Sequence, residues 1–176
     1  MNEAPHYHFV TRWRFDATIE EVADVLEDVD SLSRWWPSVY LDVRTVEPGG
    51  PHGLGRVVDL YTKGFLPYRL RWQFRVVSEH YPNGSRIEAT GDFVGTGEWT
   101  LVQDGAIADV TYDWRIVTEK PLLRRLSWLL RPLFAANHRW AMSEGERALE
   151  RELVRRRALR VHASQVGAAA TQRTSS

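Results

Sequence analysis

The chain has no cysteine, which removes disulfide bridges and thiolate metal sites from consideration. It also has no excess of charge. Its 23 basic and 23 acidic side chains give a formal net charge of zero, so a nucleic-acid partner has no general electrostatic support and none is expected. No apolar run is long enough to span a bilayer. The opening MNEAPHYHFV lacks a basic segment followed by an apolar one, so no secretory leader is expected and the chain is read as cytoplasmic. Nucleophile elbows, phosphate-binding loops and paired-carboxylate motifs are missing, and no cofactor is implied. His6 and His8 share a strand face without a third ligand near them, so no metal is expected. His52 and His80 fall in turns and receive no role. What the chain does have is aromatic surface: eight tryptophans in 176 residues, a length that suits one domain.

Periodicity divides the chain. HYHFVTRWRF alternates, with Tyr7, Phe9, Thr11, Trp13 and Phe15 on one face, which predicts a strand buried on one side. TIEEVADVLEDV switches to helical spacing, with Thr18 and Glu21 as a capping box. SLSRWWP predicts a second short helix stopped by Pro37. Five or six strands follow, divided by the turn signals EPGGPHGLG, YPNGS and QDG. YRLRWQFRVV directs Tyr68, Leu70, Trp72, Phe74 and Val76 inward. GEWTLV carries Trp99 and Leu101, and ADVTYDWRI directs Val110, Tyr112, Trp114 and Ile116 inward. After Pro121 the pattern is helical to about Arg160, with Pro132 expected to break or kink it. The domain is therefore read as residues 1–160, and residues 161–176 as a small, polar, disordered tail. A single sheet with one apolar face must cover that face. Only the C-terminal helix is long enough to do so. The expected class is α+β, a helix-grip fold: a curved antiparallel sheet around a long C-terminal helix, with two short helices after the first strand.

In FDATIEEVADVLEDVDSLSRWWPSV, in GDFVGTGEWTL followed by ADVTYDWRI, and in NHRWAMSEGERALERELVRR, the chain resembles the START-like (SRPBCC) superfamily, in particular the polyketide cyclase/dehydrase and lipid-transport family. The resemblance covers roughly residues 6–160. It implies a cavity between the concave sheet and the long helix, gated by loops and the short helices. It does not select a reaction, because the family contains cyclases, dehydratases, carriers and proteins that only bind.

Residues that would line such a cavity are Trp13, Trp36, Tyr68, Trp72, Trp99, Tyr112, Trp114, Phe134, Asn137 and His138. Inward indoles from four strands suit a flat apolar ligand, and they equally suit a dense core. Trp35 and Trp36 would close one end of the grip, either against a ligand or as a plug. On the C-terminal helix, His138, Ala141, Gly145, Ala148 and Glu152 fall within about 40° of Phe134. The small residues are expected to bring this stripe close to the sheet, with His138 withdrawn from water. His138, Tyr112 and Asp59 are the residues that could move protons. For Asp59 the strand pattern RVVDLYTKG leaves the inward face ambiguous. Glu144–Arg147 and Glu152–Arg156 are spaced as ion pairs on a solvated helix face. Residues 121–134, with Trp128 and arginines at 124, 125 and 131, form an amphipathic stretch that could touch a membrane surface or simply pack over the grip. Three functions are consistent with this reading: a binding or carrier protein for a small hydrophobic ligand, a polyketide cyclase/dehydratase-type enzyme, or an interaction module acting through the helix around Trp128.

Overall fold

A computed structural model describes residues 6–118 and 127–174. Its elements are β1 (His6–Asp16), α1 (Ile19–Glu27), α2 (Leu32–Trp35), β2 (Tyr40–Glu47), β3 (Val57–Lys63), β4 (Arg69–His80), β5 (Gly84–Gly91), β6 (Phe93–Asp104), β7 (Ile107–Thr118) and α3 (Ser127–Thr174). The seven strands form one antiparallel sheet in the order β1-β7-β6-β5-β4-β3-β2. The crossover from β1 to β2 passes through α1 and α2. Every later strand pairs with its predecessor, as short turns require. β6 and β7 join through the two-residue link Gly105–Ala106 between Asp104 and Ile107, where Gly105 takes φ 58°, a backbone angle that glycine adopts at least cost. Register shifts in β2 and between Val76 and Ser78 in β4 mark bulges that bend the sheet. This is the helix-grip arrangement: a curved sheet with one long helix lying along its concave side.

Alternation decides which side chains face the helix. Tyr7, Trp13 and Phe15 of β1, Leu70, Phe74 and Val76 of β4, and Val110, Tyr112, Trp114 and Ile116 of β7 are buried. All of these but Leu70 meet Met142, Ala148, Leu149 and Leu153 of α3 and Val22, Val25 and Ala23 of α1 in one core. Thr18 caps α1 through the reciprocal Thr18–Glu21 box.

Three expectations change. Of the break or kink expected at Pro132, the break does not occur: α3 passes through it. It lies in the second turn, where proline removes one rung near the helix start while the later turns form their own. The helix also continues past residue 160 to Thr174, where a disordered tail is expected. The segment is rich in alanine, a strong helix former, and follows an established helix, so propagation needs no new nucleus. Finally, Glu152 is not on a solvated face. It is 3% exposed and accepts hydrogen bonds from Arg34, Arg155 and Arg156 at 2.7–3.0 Å. These contacts hold its pKa well below the usual carboxylate range, with Arg155 the largest influence. The cluster ties α2 to α3. Glu144–Arg147 is a surface pair at 2.8 Å, as the spacing suggests. The membrane-surface reading of residues 121–134 falls mainly on side chains outside those described; at its end Leu133 is exposed and Phe134 half-buried. No helix among the described residues is long and apolar enough to cross a membrane.

Candidate functional site: an aromatic cavity in two chambers

Between the sheet and α3 lie two hollows. The first, of about 140 Å³, is lined by Trp36, Tyr40, Tyr68, Trp72, Tyr112, Trp114, Phe134, Asn137, His138 and Met142, with Lys63 and Gly64 at the end of β3. The second, of about 120 Å³, is lined by Leu32, Phe74, Ile87, Trp99 and Leu101, and it ends at Glu27, His52, Arg56 and Tyr81. Trp36, Tyr40, Trp72, Tyr112 and Met142 border both.

Glycines and ring contacts make this space. A Cβ on Gly97 would fall 2.4 Å from the Tyr112 hydroxyl and 2.8 Å from the Trp114 ring. Its absence lets both rings lie down on the sheet. Tyr112 stacks on Trp99 at 4.1 Å and beside Trp114 at 5.7 Å, and Trp114 meets Trp72 at 5.6 Å. The result is an aromatic floor. Trp72 Nε1 donates to Thr62 Oγ1 at 3.1 Å, which fixes that indole and satisfies a buried hydroxyl. On the opposite wall, Gly145 does not bring α3 to the sheet. Its Cα side faces the Trp36 ring, and a Cβ there would fall 2.3 Å from Trp36 Cζ2. Trp36 stacks with Trp35 at 5.5 Å and meets Trp13 at 5.9 Å. The paired tryptophans therefore wedge the α2 corner against α3. Trp35 faces the core, while Trp36 borders both chambers.

Several polar groups border the first chamber. His138 lies stacked on Phe9 at 4.3 Å, with Nε2 3.4 Å from Thr11 Oγ1. Burial, helped by the nearby Arg139 charge, lowers its pKa to about 4, so it is neutral at pH 7. Burial pushes the Tyr68 phenol up to about 12 and raises Tyr40 and Tyr112 as well; all three stay protonated and can donate. Asn137 Oδ1 accepts from the Phe65 and Leu66 N–H groups at 3.0 and 3.4 Å. This pins the β3–β4 loop to α3 beside the chamber.

Two sequence assignments do not hold. Trp13, 2% exposed, packs behind the wall on Phe15, Trp36 and Trp99 and lines neither chamber. Asp59 points away from the helix, because Val58, Leu60 and Thr62 take the buried face. It accepts from Gln73 at 2.7 Å and Arg44 at 3.1 Å, which lower its pKa. It is no interior base. Trp99 borders the second chamber only. Sequence reasoning missed Met142, Tyr40 and Thr62 as lining residues, and it missed the whole end formed by Glu27, His52, Arg56 and Tyr81. There His52 stacks on Tyr81 at 4.1 Å and lies 3.2 Å from Glu27. The one local signal was the crowding of glycines around His52, which itself takes φ 48°. Among the described residues no cluster of His, Asp and Glu could hold a metal ion.

Solved structures share this architecture. TTHA0849 from Thermus thermophilus superposes with a TM-score of 0.69 at 18% identity, covering 85% of this chain and 97% of that one. The Zhui aromatase/cyclase of Streptomyces sp. R1128 gives 0.65 at 20% identity, covering 86% and 96%. A norcoclaurine synthase point mutant from Thalictrum flavum, bound to a transition-state analogue, gives 0.57 at 12%, covering 89% and 99%. At these identities the likeness is one of fold. No curated protein matches. The sequence model of one family, described as polyketide cyclase / dehydrase and lipid transport, matches residues 6–154, and the chain belongs to that family.

Proposed function

We propose that this protein binds a small hydrophobic or aromatic molecule, lipid- or polyketide-like, in the cavity between the sheet and α3, as a cytoplasmic binding or carrier protein. The observation that carries this reading is the pair of chambers walled by rings. A filled core closes on itself at crystal-like density, whereas here Gly97 and Gly145 hold aromatic side chains back from space that stays open. Apolar walls with a few polar groups at their ends are the usual character of a small-molecule site. The Trp36 indole N–H, buried and without a hydrogen bond among the described residues, adds an unsatisfied donor beside the cavity.

A second reading, an enzyme of the cyclase or dehydratase kind, draws on His138. A neutral imidazole can accept and donate a proton, and here it borders the same chamber as the Tyr68 and Tyr112 phenols. The names of the aromatase/cyclase and norcoclaurine synthase neighbours are consistent with chemistry on this fold, and the fold by itself does not select it.

Titration with N-phenyl-1-naphthylamine tests the binding reading. Tryptophan emission should be quenched, and melting should rise by the equivalent of about 2.7 kcal/mol at a hundredfold excess over the dissociation constant. Unchanged emission and melting with this probe and a panel of fatty acids and polycyclic phenols would overturn it.

A further inference from the structure

We infer that the two chambers are successive subsites of one elongated ligand, an uncharged molecule of two ring-sized apolar units joined end to end, and that Met142 is the movable stopper between them. The inference rests on the ligand-binding reading above and deepens it. Each chamber, about 140 and about 120 Å³, is close to the roughly 150 Å³ that admits a single benzene ring in an apolar interior. Neither alone has room for two ring systems joined end to end.

The chambers lie in line. Lys63 borders the first and Arg56 the second, and these residues bracket β3, about 23 Å apart at about 3.3 Å per residue. Among the described residues, charged lining groups occur only toward those ends: Lys63 at one, Glu27 and Arg56 at the other. Arg56 is already engaged, donating to the Pro48 and Glu27 carbonyls at 3.1 and 2.6 Å. The five residues of the waist carry no charge, so whatever passes through it is uncharged.

Four of those five are fixed rings. Trp72 is tied to Thr62. Tyr112 is held between Trp99 and Trp114. Trp36 is wedged by Trp35 and Gly145, and Tyr40 meets Trp36 edge-on at 5.2 Å. Met142 is the exception. It is unbranched, has three rotatable bonds, and can re-pack against aromatic surfaces at small cost. A ligand longer than one ring can open the waist only by displacing it.

Calorimetry with two probes tests this: indole, which fits one chamber, and N-phenyl-1-naphthylamine, which needs both. Met142→Ala should tighten N-phenyl-1-naphthylamine at least fivefold and change indole less than twofold. Met142→Phe should weaken N-phenyl-1-naphthylamine at least tenfold and spare indole. If an alanine or phenylalanine variant does not fold, Met142→Leu, similar in volume but stiffer, should weaken the larger probe about threefold and leave indole unchanged. Equal effects on both probes, or none, in folded variants would overturn the stopper. Failure of the unmodified protein to bind either probe would overturn the ligand-binding reading itself, and this inference with it.

Discussion

Replacing Gly145 by alanine separates a hollow interior from a filled one. The added methyl would meet Trp36 Cζ2, Cη2 and Cε2 at 2.3, 2.5 and 2.7 Å. Ordinary carbon contacts begin near 3.5 Å, so the indole must retreat by about 1 Å. In a close-packed core that retreat costs about 1–3 kcal/mol. Alanine regains about 1 kcal/mol over glycine in a helix interior. The net loss should therefore be between about 0 and 2 kcal/mol, or at most about 8 °C in melting temperature for a domain of this size. Because Trp36 borders both chambers, its retreat should go into them. Affinity for N-phenyl-1-naphthylamine should then fall at least tenfold in a protein that remains folded by circular dichroism. Affinity unchanged in the folded variant would refute the reasoning. It would show Trp36 to be a plug with no space behind it.

Two further outcomes are expected. His138 has a folded-state pKa of about 4, below the unfolded value of about 6.5. Protonation thus favours the unfolded chain. Its contribution is whole above pH 6.5 and is lost as pH falls toward 4, by up to about 3 kcal/mol. Denaturant titrations across that window should show the loss, and His138→Gln should flatten it; an NMR pKa near 6.5 would contradict the placement. Glu152→Gln should cost about 1 kcal/mol or more by removing the buried carboxylate to which Arg34, Arg155 and Arg156 donate from the solvent side, read as a fall in the urea midpoint. A change under 1 kcal/mol would show the cluster to be solvated.

The fold was legible in the sequence wherever one face is apolar and the other polar. The alternations through Trp13 and Trp72 and the capping box at Thr18 each fixed an element without reference to the others. β3 was not legible in the same way. Val57 and Val58 are both buried at its start, so the period of two breaks where it is needed to orient Asp59. Glu152 lay on the inward stripe of its own helix, yet i,i+4 spacing to Arg156 suggested a surface pair. Arg34, which makes burial tolerable, is 118 residues away. The site divides similarly. His138 was reachable from helical geometry alone. The match of Gly145 to Trp36, the dent at Gly97 and the second chamber arise where separate elements meet, and no local pattern encodes them. An apolar face reads alike whether it is filled or hollow.

The central claim is that the interior is a ligand cavity and not a core. Its most direct test is a crystal structure of the protein soaked with N-phenyl-1-naphthylamine. The expected result is density for the probe between the sheet and α3, bordered by Trp36, Trp72 and Tyr112, with one ring system in each chamber and Met142 displaced. Probe density confined to the protein surface, with the Trp36–Met142 waist closed and unchanged, would contradict it.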